Sequence, residues 1–73
     1  MTSDDKIAAA RKRVTESKEV VERQRATIAE KKVAGLDTKV SELLLGTLEK
    51  ALAVFEDELA SLIKRSEKGP RQR

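Results

Sequence analysis

The chain is 73 residues long, 40% of its residues are charged, and its formal net charge is +3; it contains no Cys, His, Trp or Tyr. Without Cys and His it lacks the ligands of ordinary zinc, haem and iron–sulfur sites, and the residues of Ser-His-Asp and Cys-His catalytic arrangements. We therefore expect a non-enzymatic protein with no cofactor and no metal site.

The first predicted helix covers residues 4–34, a segment rich in Ala, Glu, Lys and Arg. Ser3 suits its N-cap, and Asp4 and Asp5 suit the positive end of its dipole. An apolar row with seven-residue spacing indicates a coiled-coil seam: Ile7, Val14, Val21 and Ile28. The other seam positions are small or polar: Ala10, Ser17, Gln24 and Lys31. This narrow stripe fits one neighbouring helix.

The predicted turn covers residues 35–37. Gly35 can adopt the left-handed conformation that ends a helix, and Leu36 can then fold back onto the last helical turn. Asp37 or Thr38 can cap the next helix by accepting hydrogen bonds from its free amides. These residues predict an abrupt reversal of the chain.

The second predicted helix covers residues 38–67, and a flexible basic tail follows at 68–73, where Gly69 and Pro70 end the helix. Its apolar surface is broader than that of the first helix. One seven-residue row contains Leu45, Leu52 and Leu59, and another contains Leu48, Phe55 and Leu62.

A turn this short makes the two helices antiparallel neighbours. Folding at the turn pairs residues whose numbers sum to about 73, so that Val21 lies near Leu52 and Val14 near Leu59. The apolar rows are then in phase. The sequence predicts an all-α protein with a single domain, residues 1–73, folded as an antiparallel, coiled-coil-like two-helix hairpin.

This pairing predicts an apolar surface on the second helix that the first helix leaves uncovered. Chains below about 70–80 residues seldom obtain more than about 3–5 kcal/mol from one core, so burying this surface in a partner would matter. We expect a homodimer that packs second helix against second helix in a four-helix bundle, with higher oligomers as the alternative. The predicted self-association residues are Leu44, Leu48, Ala51, Phe55 and Leu62.

Basic residues near both termini meet at the open end of such a hairpin. They form a candidate anion-binding patch of Arg11, Lys12, Arg13, Lys64, Arg65, Lys68, Arg71 and Arg73. The functional interpretation is attraction to phosphate, either of nucleic acid or of an anionic membrane surface. The membrane surface is the less favoured of the two, because the core needs the apolar face. The alternative is an ordinary solvated surface, because acidic residues are interspersed and no aromatic side chains are present there to stack on bases.

Other functions find less support in the chain. The acidic groups at 16–22 and 56–58 lack the His that carboxylate-bridged metal sites use, and surface ion pairs explain them. No apolar run has the roughly 18 residues of a membrane span, and the polar start does not resemble a signal peptide. We expect a cytoplasmic protein that does not bind membranes.

Three motifs resemble a group of short, uncharacterised helical-hairpin proteins of alphaproteobacteria. They are Q-R-x-x-I-A at 24–29, G-x-D-T at 35–38 and L-L-x-x-(F/L) at 44–48. The similarity spans residues 14–62. Leu48 stands where that group often has Phe, and Ser41 stands where it often has an acidic capping residue. The resemblance implies a helical hairpin and a bacterial origin, and it carries over no functional residues.

The sequence favours a self-associating interaction or scaffold module that also binds an unidentified protein partner. The alternative is a small basic nucleic-acid-associated protein that uses the open end of the hairpin. Measurement of the oligomeric mass and of salt-dependent nucleic-acid binding separates these two hypotheses.

Overall fold

A computed structural model describes the backbone of residues 3–68 and the side chains of residues 4–66. Its order is α1 (Ser3–Val33) followed by α2 (Lys39–Lys68), which pack against each other along their length. Both helices begin and end within one residue of their predicted bounds. Residue 68 is helical, and the rest of the predicted tail, 69–73, lies outside the described residues. The described part of the chain is therefore all-α, as predicted.

The shape is elongated. The Cα radius of gyration is 17.0 Å, whereas a compact domain of this length has a radius of about 11 Å. Two antiparallel helices side by side have no third layer to enclose a core. Burial is therefore confined to the single line of contact between α1 and α2.

A Schellman motif ends α1 at Gly35. The amide of Gly35 donates to the carbonyl of Lys32 at 3.0 Å, and the amide of Leu36 donates to the carbonyl of Lys31 at 2.8 Å. Gly35 has φ = 77°, as this motif requires. The expected packing of Leu36 onto the last turn does not hold, because its side chain is 59% exposed. Backbone hydrogen bonds of the motif thus close the turn.

Asp37 and Thr38 organise the start of α2. Asp37 Oδ1 accepts a hydrogen bond from the amide of Lys39 at 2.9 Å, as predicted for a capping side chain. The carbonyl of Thr38 accepts the first helical hydrogen bond, from the amide of Glu42, at 2.8 Å. The Thr38 hydroxyl donates to Glu42 Oε2 at 2.7 Å and so binds a side chain instead of a free amide. Together these bonds set the direction in which α2 leaves the turn.

The predicted seam of α1 is the core of the hairpin. Its buried apolar side chains are Ala10, Val14, Val21 and Ile28, with exposed fractions between 1% and 8%. Ile7 at the open end is half-buried. On α2, the row of Leu45, Leu52 and Leu59 is half-buried. Val14 and Leu59, whose numbers sum to 73, line one cleft between the helices, in agreement with the predicted register.

One layer of the seam near the turn is polar. Gln24 Nε2 donates to the carbonyl of Ser41 at 2.9 Å, and Lys31 Nζ donates to Ser41 Oγ at 2.8 Å. Ser41 is 8% exposed, and no described buried side-chain nitrogen or oxygen lacks a partner. A polar layer that is satisfied in only one alignment disfavours slipped registers. These two hydrogen bonds therefore favour the observed alignment of α1 with α2.

Candidate self-association surface

Burial is unequal between the two helices. All the buried apolar side chains among residues 4–66 lie on α1. Among the described side chains of α2, only Ser41 is buried, and the large apolar residues are at most half-buried. Because α2 carries the broader apolar surface, α2 can cover the stripe of α1 but α1 cannot cover all of α2. The uncovered surface lies on α2.

A shallow, open cleft of about 320 Å³ marks one part of this surface. Its apolar lining comes from both helices: Val20, Leu48, Ala51 and Phe55. Arg13, Glu16 and Ser17 line the rest of it. The structure thus brings together three of the predicted self-association residues, and it adds Val20 of α1, which is 37% exposed.

We expected the first helix to leave Leu48, Phe55 and Leu62 exposed. This expectation is only partly right, since all three side chains are half-buried. Ala51 is also half-buried, whereas Leu44 is 48% exposed. The reason is geometric. Both rows of α2 face the seam of α1, so the second row lies opposite positions such as Ala10 and Ser17. These short side chains cover their large partners only partly.

The sequence also predicts that further apolar residues widen the surface of α2, although they stand outside the predicted self-association set. Val40 is 79% exposed, Leu43 is 71% exposed and Val54 is 62% exposed. A sequence pattern indicates this wider surface, because Val40, Leu44, Ala51 and Val54 repeat with helical spacing beside the main seam. Together with the cleft, they extend the apolar surface from the seam to the outside of α2. We call this side of the hairpin the apolar edge.

The opposite edge of the hairpin is charged. Arg25 Nη2 lies 2.8 Å from Glu49 Oε2, and Lys32 Nζ lies 3.7 Å from Glu42 Oε2. The hydrogen bond from Arg25 to Glu49, aided by Glu22 at 3.2 Å, raises the pKa of this guanidinium above its ordinary value. These ion pairs cross between the helices, so this edge holds α1 and α2 together instead of offering a surface for association.

The charged edge also corresponds to a pattern in the sequence. Cations recur every seven residues on α1, at Lys18, Arg25 and Lys32, and acids recur every seven residues on α2, at Glu42, Glu49 and Glu56. Opposite charges at flanking positions favour one pairing direction and one register. A search for local pairs within each helix overlooks these rows, because their members meet only after the chain folds back.

The predicted anion-binding residues do not converge on one face. Arg11, Lys12, Arg13, Lys64 and Arg65 are exposed near the open end. Arg11 lines one cleft and Arg13 lines the other, on opposite edges. Arg13 also pairs with Glu58 at 3.2 Å. The side chain of Lys68 and all of Arg71 and Arg73 lie outside the described residues, so the structure places only part of this set.

Among the described side chains, residues 4–66, no group of three acidic side chains is arranged to hold a metal ion. Neither described helix combines the length and the apolar character needed to cross a membrane. Comparisons with protein-family models, curated proteins and solved structures gave no match. The feature of the described chain that bears most directly on function is therefore the apolar edge.

Proposed function

We propose that this chain is a non-enzymatic, self-associating helical hairpin that acts as a protein–protein interaction or scaffold module. A homodimer forms through α2 and completes a four-helix bundle. The charged outer faces remain available to a different protein.

The observation that carries this proposal is the absence of a buried apolar side chain on described α2, although α2 has the more apolar surface. Val40, Leu44 and Val54 are between 48% and 79% exposed. Burial contributes about 25 cal/mol per Å² of apolar surface, so covering such side chains would add several kcal/mol, as much as a small domain's whole stability. A second hairpin supplies this cover.

Sedimentation equilibrium at tens of micromolar tests the proposal. We expect twice the chain mass of 8.1 kDa, with a monomer fraction that grows on dilution. Helicity and thermal stability should fall over the same dilution, since association and folding are linked by mass action. A monomer at every concentration would refute the proposal.

A second candidate function is nucleic-acid association through the open end. Its support is that Arg11, Lys12, Lys64 and Arg65 are exposed at the same end of the hairpin. A gel shift at two salt concentrations, repeated after removal of residues 69–73, tests it. Binding that weakens steeply with salt and is lost with the tail favours this function. Absence of binding at low salt removes it.

We further propose a cytoplasmic location and membership of the group of short alphaproteobacterial hairpin proteins. The location is supported by the absence of Cys, which suits a reducing compartment. The membership is supported by the three motifs and by the Schellman turn that Gly35 forms at the second of them. Neither proposal assigns a catalytic or cofactor-binding residue.

A further inference from the structure

The ion pairs of the charged edge follow one register. The Lys32 and Glu42 side chains are 3.7 Å apart, and those of Arg25 and Glu49 are 2.8 Å apart, so on this edge residues whose numbers sum to 74 face each other. Each pair neutralises one cation of the seven-residue row on α1. Towards the open end of the hairpin the row of cations continues further than the row of acids on α2, which ends at Glu56.

Two cations of this row are left without an ion pair. Lys18 faces Glu56 in the register, but no ion pair joins them. Arg11 faces position 63, where the row of acids has Ile63 instead. Among residues 4–66, neither cation forms a salt bridge, and both side chains are exposed. Ile63 therefore interrupts the charge pattern and leaves Arg11 without an acid to face.

A cleft of about 260 Å³ opens between the helices beside these two cations. Arg11, Thr15 and Lys18 line it from α1, and Val14 and Leu59 complete the lining. The first three are spaced by four and three residues, which places them on one face of the helix. We call this the basic cleft. It presents two unpaired positive charges and a hydroxyl group.

The spacing of the two charges matches a polyanion better than a single small anion. Seven residues of α-helix separate Arg11 from Lys18 by about 10 Å along the axis. One strand of a nucleic-acid duplex carries a phosphate for about every 3.4 Å of axis, so the two cations match phosphates about three steps apart. Lys12 and Lys64, both exposed, add positive charge at the same end of the hairpin.

A duplex suits the basic cleft better than a single strand does. Proteins that bind single strands stack the bases on aromatic side chains. The chain has one aromatic residue, Phe55, which is half-buried and lines the cleft on the opposite edge. Contacts to phosphate need no aromatic group and carry no information about base sequence. The chemistry of the basic cleft is therefore that of contact with a duplex backbone.

From this we infer that the basic cleft binds the phosphate backbone of duplex nucleic acid, through Arg11, Thr15 and Lys18, without preference for base sequence. The inference rests on the second candidate function and specifies its site. It places the site on one edge of the open end, and it adds Thr15 and Lys18 to the predicted anion-binding residues. Arg13 is left out, because it lies on the opposite edge and pairs with Glu58.

The salt dependence of binding measures how many cations contact phosphate. Fluorescence anisotropy of a labelled DNA duplex gives the binding constant of the full chain at several salt concentrations. Each contact contributes about 0.9 to the slope of log binding constant against log salt concentration. We expect Arg11→Gln and Lys18→Gln each to lower this slope by about 1. Lys50→Gln is the matched control, since it removes the same charge from an exposed residue of α2 outside the basic cleft and should leave the slope unchanged.

Restoring the missing acid provides the second readout. Ile63→Glu introduces a carboxylate that faces Arg11 in the register, and pairing with this cation should lower the slope by about 1. Ile63→Gln is the control, because it loses the same apolar side chain without adding a charge, and it should leave the slope unchanged. Circular dichroism checks the helicity of both. Ile63 is half-buried, so if either substitution reduces helicity, the variants of the exposed Arg11 and Lys18 decide the inference.

The outcomes separate the inference from the second candidate function. A slope lowered by Arg11→Gln and Lys18→Gln but not by Lys50→Gln supports the basic cleft. Equal slopes for the three variants overturn the basic cleft and leave nucleic-acid association through another part of the chain standing. Tighter binding to a single strand than to the duplex overturns the assignment of the ligand. Absence of binding by the wild-type protein at low salt overturns both.

Discussion

Val21 provides a direct test of the hairpin seam. It is only 2% exposed, and Val21→Ala removes two methyl groups from the contact between the helices. At about 0.8 kcal/mol per buried carbon, the transfer contribution is about 1.6 kcal/mol, and the residual cavity adds to this. The higher helix propensity of Ala offsets about 0.6 kcal/mol. We expect a net loss of about 1–2 kcal/mol.

Val33→Ala is the matched control, because the chemical change is identical and Val33 is 90% exposed. With no burial to lose, it should be neutral or slightly stabilising, within about 0.5 kcal/mol. Both variants keep the net charge, so differences between them report packing alone. A loss of about 1–2 kcal/mol at Val21 is a large share of the stability available to so small a core.

Urea unfolding followed by circular dichroism measures both variants, and thermal melts provide a second reading. In a domain of this size each kcal/mol shifts the melting temperature by about 4–8 °C. Wild type and variants must be compared at one protein concentration, because the proposed self-association would change the apparent stability. Equal losses at Val21 and Val33, or a loss at Val21 below about 0.5 kcal/mol, would show that this row does not form the seam.

Three further predictions follow from the turn, the charged edge and the cleft. Gly35→Ala should destabilise the hairpin by about 1 kcal/mol, because the φ of Gly35 is 77°. Gly46→Ala, in the middle of α2, should stabilise it by about 0.5–1 kcal/mol, since a Cβ at this position meets nothing within 4 Å. The urea midpoints of unfolding measure both changes. A double-mutant cycle of Arg25→Ala and Glu49→Ala should give a favourable coupling free energy at low salt, and this coupling should disappear in 1 M NaCl. A coupling that persists in high salt would contradict an exposed ion pair. Phe55→Glu should abolish the proposed dimer and most of the helicity, because Phe55 lies both in the seam and in the cleft. An unchanged oligomeric mass and an unchanged circular dichroism spectrum would show that Phe55 contributes neither to the hairpin nor to the dimer.

The helices, the turn and the alignment of the apolar rows were all accessible from the sequence. Each depends on residues that act locally or on a simple period. Gly35 ends a helix through its own backbone freedom, and seven-residue rows such as Val14 and Val21 lie on one face of any α-helix. Antiparallel pairing then follows from the shortness of the turn. For these reasons the predicted bounds differ from the observed bounds by one residue.

The extent of burial was not accessible in this way. Periodicity identifies the side of a helix on which Leu48 and Phe55 lie, but it does not show how far a facing Gln or Ser reaches across to cover them. The charged rows that join Arg25 to Glu49 were missed for a related reason. Their partners are distant in the chain, and only the alignment of α1 with α2 makes them neighbours.

The chain alone therefore determines an antiparallel hairpin with an α2 that is more apolar than α1, since helix periodicity and turn chemistry are properties of short segments. Tertiary structure decides which apolar residues the single hairpin leaves exposed. Each side chain on α1 has a definite length and can shield only what lies opposite it. That limit leaves Leu48 and Phe55 half-covered and Val40 and Val54 uncovered, which is the basis for the association that we propose through α2.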